Sequence, residues 1–114
     1  MKYLLLICAT ESTDDVRDDG APESDAPDLE TWLEETGARR LLGSELTAPA
    51  EAITVRRRKG ETVLLDGPYA ETKEWIAGFD LIECANLDEA IEIASGHPMA
   101  TLGMVEIRAL VPES

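Results

Sequence analysis

The sequence predicts an α+β fold, a ferredoxin-like split βαβ sheet with a β-hairpin inserted between its second and third core strands. Three observations carry this expectation. Candidate elements follow one another as strand, helix, strand, hairpin, strand, helix, strand. The chain has 114 residues, room for one domain with one hydrophobic core. Apolar residues make up 44% of it, enough to build that core.

Residues 2–9 (KYLLLICA) form the first strand candidate, short, apolar on both faces and bounded by polar residues. A first helix follows over residues 27–36, with Asp25 or Asp28 near its start and Leu29, Trp32 and Leu33 at i, i+3 and i+4 making an apolar stripe. Gly37 is its natural stop. Residues 39–46 are a weaker strand candidate, ended by Pro49. Residues 52–57 and 62–66 flank Lys59 and Gly60, a plausible tight hairpin turn because glycine accepts positive φ.

Residues 76–84 (IAGFDLIEC) read as the next strand, with Ile76 and Ile82 on one side and Phe79 and Leu81 on the other. Asn86 caps a helix over residues 87–95, assisted by Glu89 three residues on, and Gly96 stops it. Residues 102–111 close the chain as a strand, with Val105, Ile107 and Ala109 pointing one way. Two helices cover one face of such a sheet, yet the first strand is apolar on both. A chain this short buries only about 60–70% of its unfolded surface, so a second copy is the economical cover for the open face.

Charge narrows the function classes. Ten basic residues stand against 24 acids, a formal charge of −14. Nucleic acid is excluded as a partner by this balance, since binding to it depends on cationic side chains displacing counterions. An anionic membrane surface is disfavoured likewise, and the longest apolar run, residues 3–9, is far short of the roughly 20 residues of a span. The expectation is a soluble, cytoplasmic protein. Nine acids and one base fall within residues 11–30, so residues 11–28 read as a solvated acidic loop. Asp14, Asp15, Asp18 and Asp19 lack the alternation and terminal glutamate of a calcium loop, and no metal site is expected. Cys8 and Cys84 are expected to be reduced, buried and roughly 20 Å apart, from about 3.3 Å per strand residue.

The densest constellation is residues 66–74, DGPYAETKE, directly after a strand. Asp66, Gly67 and Pro68 are what a tight turn uses, Asp66 accepting bonds from its amides. The same stretch could supply chemistry, with Asp66 moving a proton, Lys73 and Glu71 binding a ligand, and Tyr69 as a wall. His97, the sole histidine, lies between Gly96 and Pro98 and is a second acid/base candidate or an exposed loop residue. The chain has no Ser-His-Asp or Cys-His signature, no phosphate-cradling glycine loop and no CxxC, so no cofactor is expected.

DGPYAETKE resembles the DGPF signature of the YCII-related family, with Tyr69 in place of the usual phenylalanine. MKYLLLI, Ala77-Gly78-Phe79, LDEAIEIA and VEIRAL match in order, so the resemblance spans nearly the whole chain and departs most over residues 11–38. It implies a ferredoxin-like monomer pairing as a dimeric α/β barrel. One branch of the family is credited with a histidine and aspartate pair, the histidine on the first helix. Here that helix has no histidine, so the pair is not carried over. A distant relative acts as a dehydrochlorinase, and some members are associated with sigma factors. Two functions follow: a small-molecule pocket, catalytic or not, or a regulatory module whose acidic segment meets a basic partner.

Overall fold

The computed structural model describes residues 1–10, 28–68 and 74–112. Of the acidic segment, residues 11–27 lie outside this set, as do Tyr69, Glu71 and Lys73. Strand β1 runs Lys2–Thr10. Helix α1 spans Leu29–Thr36 and passes through a short 3-10 turn, Gly37–Arg39, into β2, Arg40–Glu45. The hairpin is β3 (Ile53–Arg58) and β4 (Glu61–Asp66), followed by β5 (Glu74–Glu83), α2 (Leu87–Ser95), the short helix α3 (Pro98–Leu102) and β6 (Met104–Ala109).

The main sheet has the order β2-β5-β1-β6, with every neighbouring pair antiparallel. This is the split βαβ order expected from the sequence, and the fold is mixed α+β. On β1 the odd positions Tyr3, Leu5, Ile7 and Ala9 are buried against the helices, while Leu4, Leu6 and Cys8 point to the open face and are half-buried. Residues directly opposite one another in a ladder share a face. The core therefore joins Leu5 and Ile82, both fully buried, to Trp32 of α1, Ala90, Ile93 and Ala94 of α2, and Met99 of α3.

Local chemistry explains the element ends. Gly37, at φ +55°, returns its N–H to the carbonyl of Leu33 and stops α1. Asp28 occupies the N-cap position without a side-chain bond to the helix. Asn86 Oδ1 accepts the Glu89 N–H at 3.0 Å, and Glu89 reaches back to the Ala85 N–H at 2.9 Å, close to the expected capping box. Lys59 (φ 50°) and Gly60 (φ 79°) form the hairpin turn, both with positive φ. The hairpin forms its own two-stranded sheet, and Ile53, Val55 and Leu64 on one of its faces are each more than 60% exposed.

Two expectations need correction. The register of β1 against β5 shifts between Ile7 and Cys8, so Cys8 pairs with Ile76 and Ile7 with Gly78. The bulge turns Ile76 to the open face, away from Ile82, and brings Trp75 and Ala77 toward the core. The last strand starts at Met104 rather than Leu102, because Pro98, with its φ pre-set, opens α3 at a residue whose N–H would be spare in any case. Both cysteines are free, Cys84 buried and Cys8 half-buried. No helix among the described residues is long and apolar enough to cross a membrane.

Candidate functional site

Three strands and two helices converge on a cavity of about 250 Å³. Its walls are largely apolar, with Ile7, Trp32, Leu33 and Met99 among them, and the polar exceptions include Arg40, Asp80 and His97. Asp80 occupies an inward-facing position of β5, opposite Leu5 of β1, and is 5% exposed. A carboxylate so buried needs a partner, since removing a charge from water costs several kcal/mol. Arg40, the first residue of β2, supplies it: its Nε donates to Asp80 Oδ1 at 2.7 Å.

This pair crosses β2 at Gly43, which lies opposite Asp80 in the β2–β5 ladder. A Cβ there would overlap Asp80 Oδ1 and crowd the Arg40 guanidinium. Glycine is therefore required at residue 43 by a side-chain pair passing over it, at ordinary backbone angles. Gly78 has a parallel role, since a Cβ there would stand 2.9 Å from the Ser44 carbonyl oxygen.

His97 is buried beside Asp80, with Nε2 at 3.8 Å from Oδ2. Its Nδ1 accepts the Met99 backbone N–H at 3.0 Å, making it the N-cap of α3. The indole of Trp32 meets the imidazole in a T-shaped arrangement, centroids 4.7 Å apart and planes at 69°. Trp32 is itself fixed by donating Nε1–H to the Ile93 carbonyl at 2.8 Å. Burial holds His97 below its ordinary pKa of 6.5; the Asp80 carboxylate pulls upward and Arg40 adds to the lowering. The ring is a neutral imidazole at neutral pH.

The sequence candidates are thus separated. His97 lies in this cavity as a buried capping residue, not in an exposed loop. Asp66 is exposed at the end of β4 and lines a second, more open depression of about 900 Å³ with Gly67, Pro68 and Trp75. No cavity described contains both. At that turn Gly67 (φ 92°) donates its N–H to the Ala52 carbonyl at 2.6 Å, and Thr54 Oγ1 donates to the Gly67 carbonyl at 2.9 Å. Asp80, Arg40 and Gly43 were missed by the sequence reading. The available signal was a carboxylate at an inward position of the strand AGFDLI, where every neighbour on that side is small or apolar.

Burial pushes both cysteine thiols above their ordinary pKa, with nearby glutamates acting in the same direction, so neither is a ready nucleophile. Among the described residues, no group of three or more histidine, cysteine or acidic side chains is placed to hold a metal.

Known proteins resemble the chain at three levels. The family described as YCII-related domain matches it over residues 1–114. An uncharacterized protein of Rhizobium meliloti (strain 1021) is 45% identical over 69 residues, which is 59% of this chain. That match spans 56%, little more than half, of the relative's own length. Among solved structures, the 5-chloro-2-hydroxyhydroquinone dehydrochlorinase of Burkholderia phenoliruptrix AC1100, in complex with 2,5-dihydroxybenzoquinone, aligns with a TM-score of 0.52 at 16% identity, covering 97% of this chain and 94% of the other. At that identity the likeness is one of fold.

Proposed function

The chain belongs to the YCII-related domain family, and on that premise we propose that it binds a small organic molecule in the cavity between α1, β2, β5 and α3, with His97 and Asp80 as its proton-handling groups. One observation carries the reading. An apolar cavity of about 250 Å³ contains a buried histidine and a buried, arginine-paired carboxylate. Buried ionisable groups converging on an apolar cleft are the first place to seek a binding site.

The volume lies just under the roughly 300–1,000 Å³ of drug-sized sites, which favours a ligand about the size of one substituted ring. The Burkholderia dehydrochlorinase, solved with 2,5-dihydroxybenzoquinone, holds a molecule of that size. In this reading the apolar walls take the body of the ligand, Arg40 holds Asp80 in place, and Trp32 fixes the plane of His97. Asp66, in the separate depression, has no part in it.

A homodimer belongs to the same proposal. Leu4, Leu6, Phe79 and Leu81 share the sheet face that the helices leave open, with Leu42 of β2 beside Leu81. Leu42 is 55% and Ile76 46% exposed there, an apolar surface suited to the same face of a second copy.

Thermal-shift screening of ring-containing metabolites tests the pocket. A ligand at a hundredfold excess over Kd raises stability by about 2.7 kcal/mol, which such a screen reads easily. The shift should persist in Asp66→Asn and shrink in His97→Asn. Loss in Asp66→Asn with retention in His97→Asn would move the site to the other depression.

A further inference from the structure

The two nitrogens of His97 have different fates. Nδ1 accepts the Met99 N–H, so its lone pair is in use and it carries no proton. A neutral imidazole has one N–H, which therefore sits on Nε2. Nε2 is 3.8 Å from Asp80 Oδ2, beyond hydrogen-bonding distance. Among the described residues no buried side-chain nitrogen or oxygen lacks a hydrogen-bond partner. Nε2 makes no hydrogen bond among the described residues, so it is not fully buried, and His97 lines the cavity. Of the two oxygens of Asp80, Oδ1 is taken by Arg40, leaving Oδ2 toward His97.

We propose that this pocket recognises a hydroxyl group, with His97 Nε2–H donating to its oxygen and Asp80 Oδ2 accepting its proton. The inference rests on the cavity being the ligand site, and it assigns the two roles: His97 is a fixed donor and Asp80 is the acceptor. An oxygen at about 2.8 Å from both atoms would see them at roughly 85°, about 25° inside the tetrahedral angle, a bend that two hydrogen bonds share. Other groups leave something unmade. A carboxylate ligand sets its lone pairs against those of Oδ2. An ether or a carbonyl accepts from Nε2 but offers Oδ2 nothing, and an ammonium gives Oδ2 a proton but has no acceptor for Nε2–H. Polar groups left unpaired at such a site are what make it discriminate. Arg40 acts through Asp80 and is a positioning residue: by bonding Oδ1 it fixes the carboxylate with Oδ2 toward His97.

Three probes with a common ring separate the possibilities: phenol, anisole and benzoate, followed through the backbone amide signals of Gly78, His97 and Met99 in the ¹⁵N-labelled full chain. Phenol should bind at least tenfold more tightly than the other two. His97→Asn, which keeps an acceptor for the Met99 N–H, should lower phenol binding to the anisole level. Benzoate or anisole binding as tightly as phenol overturns the hydroxyl assignment while leaving the ligand site standing. If none of the three moves those signals, the ligand site falls and the assignment with it. Imidazole ¹⁵N shifts of the wild type give a check independent of any variant: the Nε2–H tautomer is expected at pH 7.5, and a proton on Nδ1 overturns the assigned roles.

Discussion

His97 Nδ1 accepts the backbone N–H of Met99 at 3.0 Å, so one imidazole both begins α3 and faces the cavity. Protonating the ring would put an N–H against an N–H at the start of that helix. Burial opposes the same protonation, and the two effects reinforce each other.

Stability should therefore respond to mild acid. With the folded pKa below the ordinary 6.5, the unfolded chain takes up the proton first as pH falls. The histidine contribution is intact above about pH 6.5 and is lost progressively below it. Because the many carboxylates also respond to acid, the difference between wild type and His97→Asn isolates the effect. Urea midpoints from pH 7.5 to 5 should fall more steeply for the wild type. Parallel curves would contradict this.

Gly43→Ala should destabilise the protein by about 1–3 kcal/mol, the usual range for overpacking, because its methyl group collides with Asp80 and Arg40. Ser44→Ala next to it, at an exposed residue, should cost less than about 0.5 kcal/mol. Denaturant titration of the two variants checks the contrast.

Trp32→Phe removes the bond to the Ile93 carbonyl but leaves that oxygen with the Gly96 N–H at 3.2 Å. The loss should stay near 1 kcal/mol, since no acceptor is orphaned. Trp32→Ala, which empties the space beside His97, should cost about 3–5 kcal/mol. Both values are accessible by the same titration, and Phe costing as much as Ala would place the weight on the hydrogen bond.

Light scattering should return about twice 12.4 kDa at micromolar concentration. Leu6→Lys, on the open face of the central strand β1, should return a monomer with its near-ultraviolet spectrum retained. A wild-type monomer would remove the proposed pairing.

The elements were legible because each carries its own local signal: the apolar run of β1, the Leu29, Trp32 and Leu33 stripe, the Asn86 cap, the Lys59 and Gly60 turn. The strand order followed from their succession. The site was less legible for a physical reason. Asp80 and Arg40 are 40 residues apart and meet only because β2 and β5 pair, so no spacing announces them. His97 could be named as a candidate, but its capping of α3 depends on a helix too short for periodicity to reveal. The bulge opposite Ile7 and Cys8 likewise leaves no mark in the alternation and moves Ile76 across the sheet.

Lys59 is a non-glycine residue with φ 50°, a conformation that asparagine tolerates better. Lys59→Asn should slow amide exchange across the hairpin by stabilising its turn. No change at the Arg56 and Val63 amides, which face each other across the ladder, would show that the turn does not limit opening.

Among the described residues β3 and β4 pair only with each other, so both outer rims of the ribbon keep free backbone donors and acceptors next to Ile53, Val55 and Leu64. Such a rim invites strand addition and, with it, aggregation. Arg56, Arg57, Arg58 and Lys59 crowd the tip of the same ribbon, where like charges on two approaching copies repel. The basic cluster then acts as a gatekeeper: neutralising it would make the ribbon stickier, and the protein would become less soluble even as its net charge grew more negative.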